Sequence, residues 1–184
     1  MRIISRSFYD RDTVDVAQDL IGKLLVRRIG QKMISGMIVE TEAYRYKDDA
    51  ASHSFVGMTE RNKAMFGQVG KAYVYFTYGM HYCVNVVAKN KDFGAGAVLF
   101  RALEPIEGID FMIKQRKTAI SNLANGPAKL TQALQITKKQ YGEDLTKRSG
   151  LFVIEGKEIK KSEIKARPRI GIKKATDKLW NFSL

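Results

Sequence analysis

The stretch YVYFTYGMHYCVN, residues 73–85, reads as two short strands folded back on a turn at Tyr78-Gly79-Met80-His81. Tyr73 and Tyr75 alternate with Val74 and Phe76, so an extended backbone sends phenols to one face and apolar groups to the other. The turn itself is unusual. Turns normally carry small or polar residues, yet Tyr78, Met80 and His81 have no obvious core to enter. Exposed apolar tips of this kind mark a binding surface.

Working outward, the hairpin sits in a chain of similar units. Asp12 caps a predicted helix from Thr13 to about Ile21, with Gly22 as its stop. LLVRRIG and KMISGMIVETEAY form two predicted strands around Gly30, followed by a polar loop from Arg45 to about Met58. Thr59 to Asn62 opens a brief helix ending near Gly67. AGAVLFRALEP is a further strand that Pro105 is expected to stop, with a helix after it carrying Ile106, Ile109, Met112 and Ile113 on one face. Gly126-Pro127 begins another helix, and LFVIEG and RPRIGI are short strands in the last third. Hairpins interrupted by peripheral helices predict an α+β fold, a single domain over 1–184, built on a curved, mainly antiparallel, open-barrel-like sheet.

The composition bounds the function. At 184 residues with 45% hydrophobic content, the chain can bury a sizeable core. One cysteine, Cys83, excludes an internal disulfide, and with only two histidines a structural zinc site is not expected. No signal-peptide pattern and no apolar run long enough to span a bilayer occur, which predicts a cytoplasmic protein without a membrane partner. Lys and Arg number 32 against 19 acids, a net charge of +13. Residues 1–111 hold 15 basic and 13 acidic side chains, and residues 112–184 hold 17 and 6. Such an excess fits a polyanionic partner, of which nucleic acid is the commonest. A solvated lysine-rich surface is the plainer alternative.

Within MIVETEAY, residues 37–44, strict alternation puts Ile38, Glu40, Glu42 and Tyr44 on one face. Two carboxylates on an apolar strand either belong to a wet edge or serve as a base beside a pocket, because buried charge costs several kcal/mol unless paired. Arg101 interrupts AVLFRALEP and calls for a carboxylate partner such as Glu40 or Glu42. Asn85 breaks CVNVV, either to satisfy backbone groups or to read a ligand edge. His53 lies in a Ser/Ala-rich loop, where a lone histidine is more often a surface residue than a catalyst.

Taken together, LIGKLLVR, IVETEAY, TERNKAMF, YVYFTYGMHYCVNV, FRALEPIEG, NGPAKLTQAL and PRIGI resemble the alkyladenine (3-methyladenine) DNA glycosylase family, in order from about Leu20 to Ile172. The resemblance implies a monofunctional enzyme that excises alkylated or deaminated purines from double-stranded DNA, without cofactor or metal, and working as a monomer. It places the general base on Glu42, with Arg101 helping to hold the attacking water and Glu40 as a supporting neighbour. Tyr44, His53 and Tyr75 would sandwich the extruded purine, and Asn85 would disfavour the exocyclic amine of guanine. Tyr78 would fill the gap left in the duplex, with Met80 and His81 beside it in the groove. None of the site residues that the resemblance assigns is a lysine, so no Schiff-base lyase step is expected, and the C-terminal LWNFSL carries no expected role beyond packing. Because a regular Gly79-Met80 loop would set Tyr75 opposite Val84 and turn Asn85 away from the pocket, a longer turn or a bulge is expected between Tyr78 and Asn85. A non-catalytic nucleic-acid-binding module with a tyrosine platform is the alternative; a small-molecule hydrolase using Glu42 is a weaker one.

Overall fold

The structure, a computed structural model, describes residues 2–184. Eight strands run in chain order: β1 (Leu24–Ile29), β2 (Lys32–Arg45), β3 (Ala72–Thr77), β4 (His81–Val87), β5 (Gly96–Glu107), β6 (Leu151–Ile154), β7 (Lys165–Arg167) and β8 (Asn181–Ser183). They form one sheet in the order β3-β4-β5-β2-β1-β6, with β8 on β2 and β7 on β8. Every pairing is antiparallel. The fold is α+β, a curled antiparallel half-barrel with few helices, as the sequence predicts.

β2 is the spine of the sheet. Its 14 residues pair with β5 along most of their length. On the other side it pairs first with β1 (Lys32–Met37) and then with β8 (Glu40–Glu42). The change of partner coincides with Val39, which has no opposite residue in the β2–β5 ladder.

Alternation along the strands sorts side chains into two layers. Val74, Val84, Val86, Val98 and Phe100 face the main core. The helices α2 (Thr13–Asp19), α4 (Ile109–Arg116) and α5 (Pro127–Ala133) supply Val16, Ala17, Met112 and Leu130 to the same core. Fully burying each of these valine, leucine, methionine and phenylalanine side chains is worth about 1.5–3 kcal/mol. The Asp12 carboxylate accepts the Val14 N–H at 2.8 Å, the expected cap of α2.

Three sequence expectations need correction. β5 does not stop at Pro105: the proline sits opposite Gly36, and the ladder resumes at Glu107, opposite Ser35. Ile106 is the extra residue there, so it lies in an irregular strand end and is exposed, while the helix begins only at Ile109. Gly108, at φ 74°, makes the bend between them. RPRIGI is not a strand as a whole. Only its first arginine closes β7, and residues 168–172 form an irregular segment.

Candidate active site

The hairpin loop contains three residues. Thr77 pairs with His81, Tyr75 with Cys83, and Tyr73 with Asn85. The longer turn expected from the sequence is therefore present, and Tyr75 and Asn85 share a face. Tyr78 and Gly79 both take left-handed backbone conformations, φ 51° and 66°. At Gly79 that costs nothing sterically. Tyr78 accepts it as the price of a tip that is 84% exposed.

Register then carries the same face across four strands. Tyr73 stands opposite Asn85, Asn85 opposite Leu99, and Leu99 opposite Glu42. Tyr73, Asn85 and Leu99 of this row form the base of a cavity of about 670 Å³, with Glu42 just behind it. Tyr44, Tyr75 and Arg101 line it from the sheet, His53 and Arg61 from loops, and Tyr78 from the hairpin tip. Residues 170–174 close the remaining side.

Arg101 reaches the carboxylates through an irregularity. Two of the three β2–β5 register shifts flank Glu40, leaving Val39 and Arg101 each without an opposite residue. A strict alternation would have grouped Ile38 with the acids. Instead Ile38 enters the core while Glu42 and Tyr44 face the site. Arg101 lies beside both acids, with Nε 3.3 Å from Glu40 Oε1 and Nη1 3.4 Å from Glu42 Oε2. These contacts are longer than the roughly 2.7–2.9 Å of a good charge-assisted hydrogen bond. Among the described residues Arg101 Nε, itself buried, has no aligned hydrogen-bond acceptor.

Glu42 is fully buried, yet both of its oxygens are bonded. The Tyr44 hydroxyl donates to Oε2 at 2.8 Å, and the Ile170 N–H donates to Oε1 at 2.7 Å. Asn181 Nδ2 adds a bond to Oε1 at 3.1 Å and another to Glu40 Oε1 at 2.7 Å. Burial, then the adjacent Glu42 carboxylate, pushes the Tyr44 phenol well above its usual range, so it stays a donor. Glu42 itself lies just behind the cavity wall, bonded to the lining residues Tyr44 and Arg101.

The wall opposite is aromatic and neutral. His53 Nδ1 is 3.0 Å from the Tyr73 hydroxyl, and its ring meets Tyr75 edge-on at 4.7 Å. Burial, aided by the nearby Arg61 guanidinium, holds the His53 imidazole below its ordinary range, so it is uncharged at neutral pH. The loop bearing it is pinned by Asn62, whose amide donates to the carbonyls of His53 and Gly57. Asn85 donates to the Tyr73 carbonyl at 2.9 Å, which fixes its side chain at the cavity floor. Burial raises the Cys83 thiol pKa, leaving it a protonated, unreactive lining group.

A family model described as "Methylpurine-DNA glycosylase" matches residues 7–184. The chain belongs to that family. Among its curated relatives, one from Prosthecochloris aestuarii is 48% identical over 96% of this chain and 85% of its own length. One from Carboxydothermus hydrogenoformans is 47% identical, covering 99% and 95%. One from Methanocella arvoryzae is 46% identical, covering 99% and 92%. Each carries the name "Putative 3-methyladenine DNA glycosylase".

Of the site residues read from the sequence, this methylpurine-DNA glycosylase family member brings Glu42, Tyr44, His53, Tyr75, Asn85 and Arg101 around one cavity, with Tyr78 at its rim. Met80 and His81 face away, into a second groove. Three residues escaped the sequence reading. Asn181, in the LWNFSL segment expected only to pack, holds both acids. Ile170 supplies a backbone donor that no side-chain pattern can advertise. Arg169 is wholly buried, forks onto Asp49 at 2.5 and 2.6 Å, and lies over the Tyr44 ring at 4.6 Å. An arginine between a proline and an isoleucine was the available signal, but its partner is 120 residues away.

No helix among the described residues is long and apolar enough to cross a membrane.

Proposed function

We propose that this protein extrudes an alkylated purine, such as 3-methyladenine, from duplex DNA and hydrolyses its N-glycosidic bond, leaving an abasic site. The observation that carries this reading is a buried, fully bonded carboxylate, Glu42, at the edge of a tyrosine-walled cavity whose rim bears an exposed tyrosine. A base inside a duplex is out of reach, so it must leave the stack, and damaged bases cost least to extrude. Tyr78 fills the resulting gap. The Tyr44 and Tyr75 rings receive the base, and for a purine made cationic by alkylation they add about 0.5–2 kcal/mol of cation–π attraction. Asn85 at the floor works against a base with guanine's exocyclic amine.

A cationic purine is already a good leaving group, so the protein chiefly has to place a water and a base. Arg101, which lines the cavity and contacts Glu42 Oε2, is the group that holds this water beside the carboxylate. Glu42 takes the proton from that water and stabilises positive charge growing on the sugar, as carboxylates do in glycoside hydrolysis. Lys173 and Lys174 stand on the rim, but both are exposed, a setting for phosphate contacts rather than for attack on the sugar. The reaction is therefore hydrolysis without a lyase step.

The test is release of 3-methyladenine from methylated duplex DNA. Wild type should release the base, whereas Glu42→Gln should bind the same duplex and release nothing above background. Binding without release by the wild type would replace this reading with a non-catalytic module.

A further inference from the structure

A second groove, of about 450 Å³, lies beyond the hairpin tip and shares no lining residue with the base cavity. The division falls within the three-residue loop: Thr77 and Tyr78 line the cavity, whereas Met80, His81 and Tyr82 line the groove. From the other side the groove is lined by Thr131, Gln132, Gln135 and Thr137, with Lys139 and Arg27 at its margin. Among the described residues no carboxylate lines it.

Its chemistry is that of an anion receptor. Lys139 is exposed and has no carboxylate partner among the described residues. Arg27 is held in place by bonds to the carbonyls of Arg28 and Gly150 and by attraction to the Glu143 carboxylate, so it contributes only part of its charge to the groove. The exposed Gln132 amide, whose oxygen accepts from Arg116, offers a neutral N–H donor, Gln135 Nε2 donates to Gln115 at 2.8 Å, and among the described residues His81 Nδ1 is buried without a hydrogen-bond partner. Met80, 68% exposed, forms the apolar lip between this surface and the Tyr78 tip.

We infer that this groove binds the sugar-phosphate backbone of the intact strand, the one opposite the lesion. The inference rests on the proposed function, because it takes Tyr78 as the plug. If the extruded nucleotide enters the cavity, its own strand runs along that rim, past Arg61, Lys173 and Lys174. A plug standing in the stack then leaves the opposite strand on its far side, where the hairpin presents Met80 and the groove. The groove makes the protein a reader of duplexes, since a single damaged strand has nothing to put there. It also gives part of the basic excess of the second half of the chain a definite task.

The experiment compares one methylated oligonucleotide, annealed or single-stranded, bound to wild type, Lys139→Gln and the charge-matched control Lys161→Gln. Binding is read by fluorescence anisotropy across a salt series. Lys161 is exposed and lines neither cavity. Lys139→Gln should weaken duplex binding about tenfold at low salt and make the log–log salt slope shallower by about 1. Its binding to the single strand should stay as in wild type. Lys161→Gln should show no difference between the two substrates. Equal loss by Lys139→Gln on both substrates, or no loss on either, overturns the inference. Absence of base release by the wild type would count against the proposed function alone, because the binding comparison does not need turnover.

Discussion

Asp49→Asn tests how the base cavity is held closed. The side chains of Asp49 and Arg169 are both 0% exposed, and the carboxylate takes two guanidinium bonds from Arg169, at 2.5 and 2.6 Å. It also accepts the Arg45 and Ala51 backbone N–H groups. The substitution keeps the shape and removes the charge, leaving a buried guanidinium facing a neutral amide. Breaking one side of a buried pair costs about 3–5 kcal/mol, because the remaining charge is uncompensated. That is a large part of the roughly 5–15 kcal/mol that holds a domain together. For a chain of this size, about 2–4 °C is lost per kcal/mol, so the melting temperature should fall by about 6–20 °C.

The effect should extend to function. Arg169 donates to the Ala43 carbonyl and covers the Tyr44 ring, and its neighbour Ile170 bonds Glu42. At a temperature where Asp49→Asn is still folded, excision should therefore be slower than in wild type. Circular dichroism melts and urea titrations measure the first effect, and single-turnover base release measures the second. A stability loss below about 1 kcal/mol would place this pair with solvated surface ion pairs and refute the reasoning.

Tyr78→Ser should leave the melting temperature unchanged, because the side chain is 84% exposed, and weaken binding to damaged duplex about 5- to 150-fold, the equivalent of roughly 1–3 kcal/mol of ring–base contact; unchanged affinity would remove Tyr78 from the plug role. Asp144 gives a pH signature. Burial alone would raise its carboxyl, but the Thr146 hydroxyl and N–H and the Arg6 guanidinium hold it down at about 2. A depressed folded value means stability that is present above the ordinary carboxylate range and lost as pH falls from about 4 towards 2. The loss should amount to about 2 kcal/mol, and in chemical denaturation at stepped pH it should be absent from Asp144→Asn.

Much of the fold could be read locally. The two-residue turn joining β1 and β2, the Asp12 cap and the tyrosine alternation in β3 all follow from neighbouring residues. Where local reading failed, a non-local contact had decided the outcome. Pro105 looks like a strand end, yet β2 carries β5 past it by pairing Gly36 opposite the proline. A Cβ on Gly36 would lie 2.9 Å from the Glu104 carbonyl oxygen, so that close passage depends on glycine. Likewise, period-two alternation put Ile38 beside the acids, because nothing in the sequence announces that Val39 and Arg101 drop out of the ladder.

The site was legible in its types of residue but not in its supports. A carboxylate buried in a sheet must find donors, and those of Glu42 come from three separate places: Tyr44 on its own strand, Arg101 on β5, and Ile170 with Asn181 near the end of the chain. None of these donors predicts the others by spacing. The requirement that brings them together is energetic, since an unpaired buried charge would cost several kcal/mol. The last seventeen residues thus do two things at once. Arg169 anchors the segment that walls the cavity, and Ile170 and Asn181 make it possible for a carboxylate to stay buried behind that wall. A change that loosens this segment should therefore disturb the carboxylate and the tyrosine wall together, even where it touches neither the hairpin nor the groove beyond it.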